Sequence, residues 1–160
     1  MSCDDSHFVA LAFGSDMGDT HENLRLAFER LEAAGVHLAV VSRMIQSAPV
    51  DCEPGTPDFT NCVAIGKFSG SPQELLAITQ HVEIDGGRPA AHSSRQARLI
   101  DIDILLFDDV NMRTAALEIP HPRMFQRAFV MEPLAEAMEF AERAGVPLPP
   151  IWWNLGQDAK

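Results

Sequence analysis

Basic residues are scarce in this chain of 160 residues: 12 Lys+Arg stand against 23 Asp+Glu, a formal net charge of −11. That balance argues against a nucleic-acid binder, whose affinity rests on neutralising phosphates, and against docking on an anionic membrane. It should also repel a phosphorylated substrate at long range. Cysteine is equally sparse. Cys3, Cys52 and Cys62 are an odd set without paired spacing, which excludes a disulfide framework and a zinc knuckle. Cys62 lies in an apolar run and reads as a small core residue, and a reducing cytoplasm is the expected setting. No apolar run approaches the ~20 residues of a membrane span, and the acidic start, with Asp4 and Asp5, is unlike a signal or transit peptide. Also missing are a Walker A motif, a G-x-G-x-x-G turn, a zincin helix and a nucleophile elbow. If ATP is used here, the site is not a P-loop.

What is there has a local order. Residues 81–130 hold six of the ten arginines (Arg88, Arg95, Arg98, Arg113, Arg123 and Arg127) against seven acids, so that stretch carries −1 and the remainder −10. No repeat or low-complexity linker divides the chain, and one domain over 1–160 is expected, with a core at about 7–140 and a tail at 141–160. Residues 8–13 form an unbroken apolar run, a strand buried on both faces. A capping box at Asp19 and Glu22 opens a helix whose Leu24, Ala27, Phe28 and Leu31 recur at helical spacing up to Gly35. Strands are expected at 38–45 and 59–68, then a second capping box at Ser71 and Glu74 with Pro72 at the first helical position. A polar loop over 88–97, a strand at 100–107 and a helix near 133–143 complete the order. The β-α-β-β-α-β sequence predicts an α+β, ferredoxin-like antiparallel sheet with helices on one face, plus a C-terminal addition.

The sharpest chemical feature is Ile100-Asp101-Ile102-Asp103-Ile104. Alternation on a strand puts Asp101 and Asp103 on one face and the isoleucines on the other. Two like charges there repel, and each costs several kcal/mol to bury unpaired. A cation should therefore sit between them, and Mg²⁺ is the oxygen-seeking candidate, held by one or two carboxylates plus substrate phosphates. An acidic strand face turned to water, or pairing with Arg98, would produce the same pattern. Arg88, Arg95 and Arg98 supply planar, permanent cations suited to a phosphate clamp, or are solvated loop arginines. His121 between Pro120 and Pro122 is either a phosphate donor or a surface turn residue. Phe59 and Phe129 read as core residues or as faces for a flat heterocycle. Asn61, in an apolar strand, needs partners for both its donor and its acceptor side, and loop backbone would serve as well as a ligand.

Together these pieces resemble the 6-hydroxymethyl-7,8-dihydropterin pyrophosphokinase family over about residues 8–137. The resemblance runs through Gly14-Ser15, Gly18-Asp19, Asn23-Leu24, Pro57-Asp58-Phe59-Thr60-Asn61 and Glu74-Leu75-Leu76. It continues through Gln80, Glu83, Gly87-Arg88 and Arg98-Leu99-Ile100-Asp101-Ile102-Asp103, then Pro120-His121-Pro122-Arg123-Met124, Arg127 and Phe129. It implies transfer of the β,γ-pyrophosphoryl group of ATP to the hydroxymethyl of a reduced pterin, leaving AMP. It further implies two Mg²⁺ on Asp101 and Asp103, and Arg88 and Arg98 assisting transfer. Gln80, Glu83, His121 and Arg127 would hold ATP, with the Ile104 backbone at adenine. The pterin would lie between Phe59 and Phe129, read by Asn61 and by backbone at Ser47 and Val50. A monomer is expected. The chain departs from the family at Asp16, usually Asn, at Ser47-Ala48, at Ala90, and at Arg95-Gln96-Ala97 where Trp-Gly-Pro is usual; Arg95 would partly replace the missing loop cation. Beside the active enzyme stand two other readings: a catalytically weakened pterin- or nucleotide-binding paralogue with an altered lid, and a plain interaction domain.

Overall fold

The structure, a computed structural model, describes residues 6–16, 19–47, 59–85 and 100–155. Its elements run β1 (His7–Ser15), α1 (Thr20–Ala33), β2 (His37–Val41), β3 (Ile45–Ser47), β4 (Phe59–Phe68), α2 (Pro72–Asp85), β5 (Asp101–Phe107), β6 (Met112–Arg113), β7 (Glu118–Ile119) and α3 (Ala128–Arg143), with short 3-10 turns at Met124–Gln126 and Pro150–Asn154. The main sheet is antiparallel in the order β2-β4-β1-β5, and β3 pairs with β4 beyond β2. β6 and β7 form a separate two-stranded hairpin.

The second capping box forms in full and the first by half, because the Glu22 carboxylate bonds Arg25 instead of returning to the cap. Asp19 accepts the Glu22 N–H at 3.1 Å, while Ser71 and Glu74 exchange reciprocal bonds of 2.8 and 3.1 Å. α1 buries Leu24, Ala27 and Leu31 and ends before Gly35, whose φ of +98° is open to glycine at little cost.

Two expectations are corrected. The second strand is not continuous: it breaks at residues 42–44 into β2 and β3. Ser42 fills the gap in the ladder, its N–H donating to the Val63 carbonyl at 2.8 Å and its Oγ accepting the Val63 N–H at 2.9 Å. The last helix begins at Ala128, a full turn before Pro133. Proline there cannot donate to the Phe129 carbonyl, but it is buried within a stripe of Val130, Leu134, Ala137, Met138 and Ala141. Burial of that stripe offsets the lost bond. As expected, the two helices of the β-α-β-β-α-β unit share one face, and the helix of the C-terminal addition lies on the other. α1 and α2 cover one side of the sheet over Val9, Leu11 and Phe13. α3 covers the other over Ala10, Ala12, Val63 and Ile65. That second layer is why β1 reads as apolar on both faces.

The tail is split between inside and outside. Trp152 is buried and its Nε1 donates to the Asp108 carbonyl at 2.8 Å, whereas Trp153 is 42 % exposed. Among the described residues no helix is long and apolar enough to cross a membrane.

Candidate active site

The α3 side of the sheet turns polar at one end of its three central strands. Alternation along β4 puts Phe59 and Asn61 on that side with Val63 and Ile65. Along β1, Gly14 follows Ala10 and Ala12. On β5, Ile100, Ile102 and Ile104 join the core under α1 and α2, which leaves Asp101 and Asp103 on the α3 side. The register aligns these positions: Gly14 lies between Asn61 on β4 and Asp101 on β5, and Ala12 lies opposite Asp103. Small residues on the middle strand thus leave room between an amide and two carboxylates.

Gly14 itself is constrained by this arrangement. A Cβ there would lie 3.2 Å from Asn61 Oδ1, a tight approach. Asn61 is 7 % exposed, so its amide is shielded from water and its orientation matters. Asp16, two residues beyond Gly14, has its carboxyl pushed up, first by partial burial and then by the charge of Asp101.

His121 adds the imidazole. The His121 backbone N–H donates to the Leu105 carbonyl at 3.1 Å, fixing the residue beside β5. Its Nδ1 accepts the Arg123 N–H at 3.2 Å, so the neutral ring carries its proton on Nε2, 4.0 Å from Asp103 Oδ1. Burial holds the His121 pKa below the usual imidazole range, with Arg127 and Arg123 lowering it further against the pull of Asp103. Arg127 caps α3, and its guanidinium carbon lies 5.7 Å above the Phe129 ring. Phe59 and Phe129 are both half-buried.

A cavity of about 250 Å³ opens beside this end, between the outer edge of β5, α2 and the β6–β7 hairpin. Leu76, Ile102, Ile104 and Leu117 supply apolar wall, and Asp103 and His121 stand at its polar side. Gln80 is exposed one turn after Leu76 on α2. Glu83 is 8 % exposed, and its Oε2 accepts the Ile102 N–H at 2.8 Å, between the two aspartates on the strand's free edge.

Arg88, Arg98 and Val50 lie outside the described residues, as do Arg95 and the Ser47 side chain; the Ser47 backbone pairs with Phe59. Sequence reasoning missed the hairpin wall of the cavity. Its local signal is Thr114, whose Oγ accepts the Leu117 N–H at 3.0 Å to close the turn. The Glu83–Ile102 bond and the ion pair between Arg43 and Glu136 left no such signal.

Among the described residues no group of three or more His, Cys, Asp and Glu side chains is placed to hold a metal. Asp101 and Asp103 offer oxygen donors only. Successive same-face strand positions lie ~6.6 Å apart along the chain, and Asp103 is about half exposed. Such a pair suits a hard cation that takes its remaining ligands from substrate and water.

The chain matches the family described as 7,8-dihydro-6-hydroxymethylpterin-pyrophosphokinase over residues 10–139. A 2-amino-4-hydroxy-6-hydroxymethyldihydropteridine pyrophosphokinase of Bacillus subtilis is 39% identical over 139 residues, covering 86% of this chain and 82% of its own length. One of the same name from Porphyromonas gingivalis is 37% identical, covering 80% and 88%. The crystal structure of wild-type Plasmodium falciparum HPPK-DHPS with pteroate superposes with a TM-score of 0.66 at 12% identity, over 82% of this chain and 40% of that one, a likeness of fold. With most of its length and its D-x-D strand inside the matched span, the chain belongs to the 7,8-dihydro-6-hydroxymethylpterin-pyrophosphokinase family.

Proposed function

We propose that this chain transfers the β,γ-pyrophosphoryl group of ATP to the hydroxymethyl of 6-hydroxymethyl-7,8-dihydropterin, releasing AMP, as a step of folate biosynthesis. The observation that carries the reading is the placement of Asp103 and His121 at the polar side of a cavity of about 250 Å³, with Asp103 on the strand whose Asp101 is in register, across Gly14, with Asn61. The pterin hydroxyl oxygen would attack the β-phosphorus, the bond from that phosphorus to the α-phosphate oxygen would break, and the hydroxyl proton would leave to solvent. Such in-line transfer needs positioning and charge neutralisation more than a covalent nucleophile.

Asp101 and Asp103 would hold two Mg²⁺, which supply charge neutralisation on the phosphates. His121 Nε2–H and Arg127 would donate to phosphate oxygens. Gln80 and Glu83 would hold ATP from α2, and the Ile104 backbone would meet adenine in the cavity. Arg88 and Arg98 would assist transfer. Phe59 and Phe129 would sandwich the pterin, while Asn61 and backbone at Ser47 and Val50 read its hydrogen-bonding edge. The strand order fits the ferredoxin-like split βαβ arrangement, and the reading needs residues of one chain only, as in a monomer.

The test is product identity. With ATP, Mg²⁺ and the dihydropterin, AMP should appear only when the pterin is present, and Asp101→Ala should lower the rate at least ~100-fold, in the range of losing a principal transition-state charge contact. ADP or inorganic phosphate in place of AMP would contradict the proposed bond cleavage, and tight pterin binding without AMP would favour a binding paralogue.

A further inference from the structure

We propose that the Arg43–Glu136 pair is a positioning device that sets the width of the pterin slot; the inference rests on the functional reading above. Glu136 is on α3, and its Oε1 accepts the Arg43 backbone N–H while its Oε2 accepts the Arg43 Nε–H, both at 2.6 Å. Arg43 sits in the break between β2 and β3, where the ladder to β4 is interrupted and Ser42 has taken over the bond to Val63. One carboxylate therefore satisfies both the backbone and the side chain of the residue at which the chain re-enters the sheet.

The two ends of this clamp lead to the two walls of the slot. On α3, Phe129 and Glu136 are seven residues apart, two helical turns, and so share a stripe, with Phe129 ~10.5 Å closer to the helix start. In the other direction, Arg43 is followed at once by β3, whose Ile45 pairs with Asn61 and whose Ser47 pairs with Phe59. Anchoring Arg43 to Glu136 thus fixes the helix that presents Phe129 against the strand in register with Phe59 and Asn61. Gln46 locks the same short strand from its other face, donating to Thr60 Oγ at 2.9 Å.

Stability alone gives little reason for such a pair. The Arg43 side chain is 80 % exposed and that of Glu136 20 %, and a solvent-screened ion pair contributes little to folding. Geometry is what it supplies: two short, charge-assisted bonds, from the Arg43 backbone N–H and Nε–H, accepted by the two oxygens of one carboxylate. Nothing in the clamp reaches the cavity beside β5, so its effect should fall on the pterin and spare ATP.

The experiment compares wild type, Glu136→Ala, Glu136→Gln and Arg43→Ala by steady-state AMP release and by calorimetric binding of the dihydropterin in the presence of a non-hydrolysable ATP analogue. Glu136→Ala should raise KM and Kd for the pterin about fivefold or more, with kcat and KM for ATP within about twofold. Glu136→Gln, which keeps an acceptor for the Arg43 N–H, should recover most of the loss, and Arg43→Ala, which keeps the backbone bond, should fall between. If Glu136→Ala does not fold, the other two variants decide: a pterin-only rise in Arg43→Ala upholds the proposal. Pterin constants within twofold of wild type in all folded variants, or pterin and ATP constants rising together, overturn it. A wild type that neither binds the dihydropterin nor releases AMP overturns the functional reading, an outcome distinct from unchanged constants in an active series.

Discussion

Cys62 shows what burial does to a single titratable group. It lies in β4 facing α1 and α2, 1 % exposed, and burial pushes its thiol up to about 12. The nucleophile is the thiolate, so the native protein at pH 8 should leave Cys62 unlabelled by iodoacetamide while denatured protein labels it fully, read by peptide mass spectrometry. The sign for stability follows. A raised folded pKa is neutral below the unfolded thiol's range and costs stability as pH climbs from about 8.5 towards 12, by up to ~1.4 kcal/mol per unit. Rapid native labelling at Cys62 would show that β4 opens. Single residues of this kind were legible in the sequence wherever their role depended on their own strand. Cys62 in an apolar run, Asp101 and Asp103 on alternate positions and Asn61 among hydrophobics are all of that sort. Glu83 and Arg43 were not, because the groups they bond, Ile102 N–H and Glu136, are 19 and 93 residues away.

Elements raise a different question, which is how closely neighbouring strands approach. Gly14 is the middle position of a three-strand row, and its missing side chain leaves Asn61 in place on one side and Asp101 on the other. Gly14→Ala puts a methyl 3.2 Å from Asn61 Oδ1, so the amide must give by a few tenths of an ångström. The fold should tolerate this at ≲1 kcal/mol, since alanine relieves part of glycine's entropy cost. The pterin KM should rise several-fold with the ATP KM unchanged, and a variant with wild-type pterin kinetics would remove Asn61 from the recognition reading. Capping boxes made the starts of α1 and α2 legible because their signals are local. The start of α3 was misread because Pro133 resembles a helix-opening proline, and only the apolar surface under Val130 and Leu134 justifies the extra turn. The break between β2 and β3 was hidden for a similar reason: Ser42 completes the ladder to Val63 with its hydroxyl, so residues 38–45 keep the pattern of one strand.

For the whole molecule, a charge of −11 first suggested that phosphates would be repelled. The fold shows where that repulsion is concentrated. Asp16 joins Asp101 and Asp103 at the sheet end, close enough for the charge of Asp101 to raise the Asp16 carboxyl, while residues 81–130 carry only −1 against −10 elsewhere. Two divalent ions held by Asp101 and Asp103 would turn that stretch from −1 to about +3. ATP should therefore bind with its metal or hardly at all. Calorimetry with a non-hydrolysable ATP analogue should give at least about tenfold tighter binding in millimolar Mg²⁺ than in chelator, more than one nearby unit charge contributes at a solvated surface. Asp101→Asn should shrink that ratio, because it would remove a proposed metal ligand together with part of the repulsion. Salt acts on only one side of the comparison. Raising ionic strength from 0.01 to 0.15 M shortens the screening length from about 30 to about 8 Å, which weakens the repulsion of metal-free nucleotide while leaving bound ions in contact with their ligands. The gap between the two conditions should consequently narrow with salt mainly through improved metal-free binding. Equal affinities with and without Mg²⁺ at low salt would mean that the D-x-D face does not meet the phosphates.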